Sequence, residues 1–354
     1  MADAKNLMGV SVDDIKSIMG VDVGDIKSVM GFDLPSGGQW FGSRHFMAGT
    51  SANSWSETER ISYKASTSSG DVSDFGDLIT GSPLAAGSGC GNGKARGIVG
   101  SRYASGSHQD DIDYFATTST GDASDFGENG EDGDAGMASS NGTLLFFTGC
   151  ALGSSPYVTD RMEYITVATL GNATDAGNLL DQLSQGMCAS GNSRGSVMGG
   201  VTRDSDDGYI RYAYQAVDYH EFHTSNNASD FGDLSQQSYL GAGLASETRW
   251  VCKNGHRYTS AGGNEHHINM DFFTVDTTGN ASDFGDCAGR TQYLGGMADG
   301  TRGEWWGGND ASGTQGSAID SISYITIASA SDHTDAGNLH AAGLGNNTFS
   351  GAAS

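Results

Sequence analysis

An all-β fold, a six-bladed β-propeller preceded by a short N-terminal segment of small helical turns, is what this sequence of 354 residues predicts, and three recurring patterns predict it. The first is the stretch Gly279-Asn280-Ala281-Ser282-Asp283-Phe284-Gly285-Asp286, which has relatives starting at Gly70, Gly121, Gly171, Asn226 and Ser331. The Asp at its fifth position falls at 74, 125, 175, 230, 283 and 335, an almost constant period. The second is a short apolar run ending in Gly or a small residue, as in Trp40-Phe41-Gly42, Ile98-Val99-Gly100 and Trp305-Trp306-Gly307. The third is a run rich in aromatic and β-branched residues, such as Ile61-Ser62-Tyr63 and Ile322-Ser323-Tyr324-Ile325-Thr326-Ile327. A unit of roughly 40 to 55 residues cannot bury its own apolar faces, so such units stack into a ring or an array.

Each unit then reads as an apolar strand near the axis, a polar loop, an aromatic strand, the Asp-Phe-Gly turn and a strand of small residues such as Gly136-Met137-Ala138-Ser139. Three or four strands are the content of a propeller blade. End copies no more polar than the middle ones argue for a closed ring over an open solenoid, whose caps are polar. The expected domains are 1–38, a docking leader and linker, and 39–354, the ring.

The leader carries a different repeat. Val10 to Gly20 is followed at once by Val21 to Gly31, with Asp-Ile-Lys-Ser in both. Ser11 or Asp13, and Asp22 or Gly24, suit helix N-caps, and Gly20 and Gly31 suit helix stops. One apolar side, formed by Ile15, Ile18, Met19, Ile26, Val29 and Met30 with Lys16 and Lys27 beside it, is the candidate docking surface. Helices this short are unstable alone in water, so they need either the ring or a partner to lie on. Pro35-Ser36-Gly37-Gly38 reads as the linker.

Composition narrows the function. A formal net charge of -25 repels nucleic acid and anionic membranes. No apolar run is long enough to span a bilayer, and Met1 to Asn6 lacks the start of a secretory signal, which predicts folding in a cytoplasm. Cys90, Cys150, Cys188, Cys252 and Cys287 are odd in number and irregularly placed, as free thiols are.

The Asp-Phe-Gly tripeptides lack the lysine strand and catalytic loop of a kinase and read instead as turns. In them Asp74, Asp125, Asp175, Asp230, Asp283 and Asp335 would cap backbone N–H groups, while Gly76, Gly127, Gly177, Gly232, Gly285 and Gly337 take positive φ and Phe tucks between blades. Paired acids such as Asp74 with Asp77 leave calcium binding open, though far short of an EF-hand. His220, His223, His256, His266 and His267 read as exposed polar residues rather than a metal site, and Trp305-Trp306 as core. Asn-x-Ser/Thr at Asn172, Asn227 and Asn280 is explained by turn chemistry. No catalytic constellation stands out, so the sequence is read as non-enzymatic and without cofactor.

The aromatic strand followed by Gly-Asn-Ala-Thr/Ser-Asp, fullest at Tyr164 to Leu179 and Tyr324 to Leu339, resembles the repeat of kelch-like propeller proteins of tailed bacteriophages, although the paired Tyr and Trp of kelch repeats are not regularly kept. The leader is similar to the repeats ahead of such phage propellers. The resemblance implies a virion structural protein, tail- or fibre-associated and present in multiple copies. Residues 6–34 would dock on other virion proteins and the ring would meet a host glycan or surface protein. A propeller hydrolase or lyase acting on polysaccharide, and a bacterial interaction propeller, are the alternatives.

Overall fold

The computed structural model describes residues 6–7, 10–11, 17–18, 21–22, 28–29, 32–33, 43–48, 59–80, 89–93, 96–104, 106–191, 193–203, 206, 208–258, 264–310, 317–339 and 350–353. All regular structure among them is β. The chain forms two compact units, Met1–Gln39 and Trp40–Ser354.

In the larger unit six antiparallel sheets follow one plan. Blade three shows it plainly: Met137–Ser140, Leu144–Ala151, Val158–Thr166 and Thr174–Leu183 are neighbours in that order. Blades two, four, five and six begin at Gly89, Met187, Ala242 and Gly295. Blade one is composite, since its innermost strand, Ser350–Ala353, comes from the far end of the chain and pairs with Arg44–Ala48. The six innermost strands neighbour one another in cyclic order and so close the ring.

The strand order corrects one expectation. The apolar strands are second from the axis, and the small-residue strands line it. The physical reason is room: six backbones converging on an axis leave space for Ala, Ser and Gly but not for paired bulky side chains. In blade one the strand equivalent to Ile98-Val99-Gly100 is Phe46-Met47-Ala48, and Trp40-Phe41-Gly42 lies outside the described residues.

Alternation along the second strand serves two seams at once. Phe46 packs with Ile61, Phe75 and Phe115 between blades one and two, whereas Met47 packs with Trp306 and Ile322 between blades six and one. Each seam holds one such apolar cluster, and Trp305 and Trp306, 2% and 0% exposed, divide between the seams either side of blade six.

The Asp-Phe-Gly tripeptide proves not to be a turn. It lies inside the outer strand, where Ile61 pairs with Gly76 and Ser62 with Asp74, leaving Phe75 as the extra residue of a β-bulge. The same slip occurs in all six blades. A bulge bends its strand and re-aims a side chain. Here it drives Phe75, Phe126, Phe231 and Phe284 into the seams, where each is buried.

In the smaller unit the described residues form three two-residue strand pairs, Asn6–Leu7 with Val10–Ser11, Ser17–Ile18 with Val21–Asp22, and Ser28–Val29 with Phe32–Asp33. Ile18 and Val29, expected on helical turns, are thus in strands. The segments 12–16 and 23–27, where the helical turns were expected, lie outside the described residues.

Candidate functional site

The repeated stretch is a clasp between blades. Its first two residues lie over the outer strand of the preceding blade, and the second residue makes the tie. The side-chain Oδ1 atoms of Asp71, Asp122, Asn172, Asn227, Asn280 and Asp332 accept the backbone N–H of Asn338, Asp77, Glu128, Asn178, Asp233 and Asp286, at 3.0 to 3.3 Å. All six seams carry this bond, including the one that closes the ring. The fifth-position Asp residues do less: Asp175 and Asp335 accept the N–H of Gly177 and Gly337, two residues on. The six Gly residues at position seven all have positive φ, 113° to 157°. A Cβ on Gly76 would collide with the Gly121 carbonyl oxygen, so glycine is required there by close approach as well as by conformation.

A second tie joins the blades nearer their middle. Arg44, Arg96, Arg194, Arg249 and Arg302 open the second strands of five blades, each with its guanidinium 3.6 to 5.5 Å from the centre of Tyr63, Tyr114, Tyr219, Phe272 or Tyr324. Four of them also donate to the next blade, to the carbonyls of Thr117, Val167, Val275 and Ile327. A cation over an aromatic face is worth about 0.5–2 kcal/mol depending on burial. Blade three has Leu144 at this position.

The third tie is a carboxylate in the third strand. Asp113, Glu163, Asp218 and Asp271 are buried and accept the backbone N–H of Ile79, Gly130, Leu180 and Ser235 of the preceding blade. Burial pushes Asp218 up to about 6, against the lowering effect of that hydrogen bond. Burial likewise raises Asp113 despite Arg102, whose Nη1 lies 2.8 Å away.

At the seam between blades five and six this scheme breaks twice. Ser323 occupies the carboxylate position, as Ser62 does in blade one, and His333 stands at clasp position three, where the other copies have Ala or Val. The N–H that a carboxylate would take, that of Ala288, goes to His333 Nε2 at 2.5 Å. Beside it opens a cavity of about 740 Å³ lined by Ser321, Ser323, Lys253, Arg290, Leu294 and Trp305 among others. Lys253 is 1% exposed, and its Nζ donates to the carbonyls of Thr291 (2.7 Å) and Asn254 (3.2 Å). Burial lowers its ammonium to about 8.

At the seam between blades six and one, Glu304 is 0% exposed and fully engaged. Its Oε2 lies 2.9 Å from His45 Nδ1 and accepts Trp306 Nε1–H at 2.9 Å. Its Oε1 accepts from Lys64 Nζ at 3.1 Å and Arg302 Nε at 3.0 Å. Burial alone would raise this carboxyl, but the hydrogen bonds and positive charge of His45, with Lys64 and Trp306, outweigh it and hold Glu304 below its ordinary value.

The histidines correct another expectation. His220 is buried in the seam between blades three and four, 3.0 Å from Ser139 Oγ and stacked on Phe146 at 4.5 Å, and burial lowers it to about 3. His256 and His267 are buried in blade five and likewise lowered, to about 3 and about 4, chiefly by burial. Strand pairing turns His256 edge-on to His266 at 4.1 Å. These rings fill the core and a hairpin instead of facing solvent, and His223 is the exposed one. Among the described residues no group of three His, Cys, Asp or Glu side chains is placed to hold a metal. Cys150, Cys188, Cys252 and Cys287 are free thiols, and burial pushes each upward.

Of the docking residues, Ile18 and Val29 lie in the strand pairs, while Ile15, Lys16, Met19, Ile26, Lys27 and Met30 fall outside the described residues. No helix among the described residues is long and apolar enough to cross a membrane. No protein-family model matches the chain, and no curated protein matches it either.

Proposed function

We propose that the chain is a structural component of a tailed-phage particle, tail- or fibre-associated and present in several copies. On this reading residues 6–34 dock on other virion proteins, and the six-bladed ring meets a host glycan or surface protein. The observation that carries it is the division into two compact units of different repeat, an 11-residue one in Met1–Gln39 and a blade repeat in Trp40–Ser354. Short, closely similar units in tandem offer much the same contact several times, and linked weak contacts bind far more tightly than one alone. A ring is a scaffold that hosts many functions, so the reading leans on the leader and on the resemblance of both repeats to those of phage propellers. The net charge of -25 disfavours nucleic acid as a partner.

The test compares the full chain with a 39–354 variant, both expressed in cells producing the particle and followed by mass spectrometry of purified particles. The full chain is expected in the particles and the shortened one in the soluble fraction. Equal incorporation of both would refute docking through the leader, and absence of both would refute the virion role.

A further inference from the structure

The break in the seam between blades five and six has a chemical direction. In blades two to five a fixed carboxylate sits at the position of Ser323. In blade six that anion is gone, a cavity stands beside its place, and a buried cation has been added on the facing blade. A buried ammonium held only by carbonyls is costly unless an anion pairs with it. Among the described residues no carboxylate lies within ion-pair distance of Lys253.

We infer that this cavity binds a small organic carboxylate bearing hydroxyl groups, of acidic-sugar size, whose carboxylate takes the place of the missing side-chain anion and pairs with Lys253. Its volume of about 740 Å³ falls within the range of small-molecule sites, roughly 300–1,000 Å³. Arg290, on its wall, is exposed and makes no hydrogen bond or ion pair among the described residues, leaving a planar two-pronged donor free for a carboxylate. Ser321 and Ser323 add side-chain hydroxyls that make no hydrogen bond among the described residues. Because His333 Nε2 accepts the Ala288 N–H, its proton sits on Nδ1, which is buried and has no partner. Leu294 and Trp305 supply the apolar wall.

Lys253 remains charged at neutral pH, since burial lowers it only to about 8. Two carboxylates also line the cavity. Asp335 is exposed with Oδ1 engaged by the Gly337 N–H, and Asp310 is half-buried. They disfavour loose attraction of anions and leave selectivity to a ligand that reaches Lys253. This inference rests on the ring alone and stands apart from what the leader does.

The experiment is calorimetry and ligand-observed NMR on the purified full chain with glucuronate, galacturonate and N-acetylneuraminate, against glucose, galactose and sulfate. At least one acidic sugar should bind, and its neutral counterpart at least tenfold more weakly. Ser323→Asp, which restores the fixed anion, should abolish that binding while the protein keeps its thermal melt. Arg290→Ala, a surface change that leaves the core intact, should weaken it about five- to tenfold. An oligosaccharide ending in the same sugar, compared with the free sugar, separates a glycan terminus from a free metabolite as the source. Equal binding of neutral sugars, binding of sulfate without any carboxylate, no binding at all, or unchanged binding by both Ser323→Asp and Arg290→Ala overturns the inference.

Discussion

Blade six meets its two neighbours in opposite ways. Toward blade one it presents Glu304, fully buried, with His45, Lys64, Arg302 and Trp306 around a single carboxylate. Toward blade five it presents Ser323 and a cavity, facing a buried Lys253 with carbonyl partners only. The outer clasp is the same on both sides, Asp332 to Asp286 and Asp71 to Asn338. The repeated ties therefore set where the blades lie, and the side chains that depart from the repeat decide what each seam does. One departure locks the seam between blade six and the composite blade one, and the other opens a space.

The largest effect is expected at the lock. Glu304→Ala leaves His45 and Lys64 buried beside an absent partner, and breaking a buried pair in this way costs about 3–5 kcal/mol. Denaturant unfolding of the full chain measures it, and a loss under about 1 kcal/mol would show that the closing seam does not depend on this network. The pH dependence has a definite sign. The folded Glu304 carboxyl lies below its ordinary 4.5, so its contribution is present above that value and is lost as pH falls through the lower folded one. Glu304→Gln should flatten that acid limb.

The open seam should respond in the other direction. Lys253→Met removes a buried charge that has no counter-ion, and replacing buried charges by apolar groups of similar volume ranges from neutral to stabilising by about 1–4 kcal/mol. Between pH 8 and 10.5 the folded chain has released the Lys253 proton while the unfolded chain still binds it, so the stability of the unsubstituted protein rises with pH across that window. Thermal melts from pH 7.5 to 10.5 should show this rise, and the Lys253→Met protein should lack it. Identical slopes would mean that Lys253 is better solvated than its surroundings indicate.

Much of this architecture was legible because a period of about 52 residues survives any local ambiguity, and blade number follows from counting. Strand order was not, because Met137-Ala138-Ser139-Ser140 carries no hydrophobic pattern strong enough to announce the most central strand. The bulge at Asp-Phe-Gly reads as a turn since both use a Gly at positive φ, and only pairing distinguishes them. The arginine ties left a visible signal, an Arg at the head of five apolar runs, but its aromatic partner is in another strand. In the leader, Ile18-Met19-Gly20-Val21 and Val29-Met30-Gly31-Phe32 place a Gly-containing pair between strand-forming residues, a hairpin signal that competes with the helix-stop reading of the same glycines. The cavity is a negative feature. Ser323 and His333 are ordinary residues until the other copies are laid beside them, four of which carry a carboxylate where Ser323 stands and none a His where His333 stands.

The smallest predicted effect is the one that tests whether the clasp is shared. Asp332→Ala and Asp71→Ala each remove one exposed side-chain acceptor from a backbone N–H, worth about 0.5–1.5 kcal/mol. If the repeated ties act independently of the specialised interior, the two losses are equal within about 0.5 kcal/mol, although one variant lies at the open seam and the other at the locked one. A clearly larger loss for Asp332→Ala would mean that the cavity makes its seam lean on the clasp. A larger loss for Asp71→Ala would mean that the clasp and the Glu304 network support one another. Chemical denaturation of the two variants beside Asn280→Ala, at the seam between blades four and five where the buried Asp271 carboxylate is in place, supplies the reference.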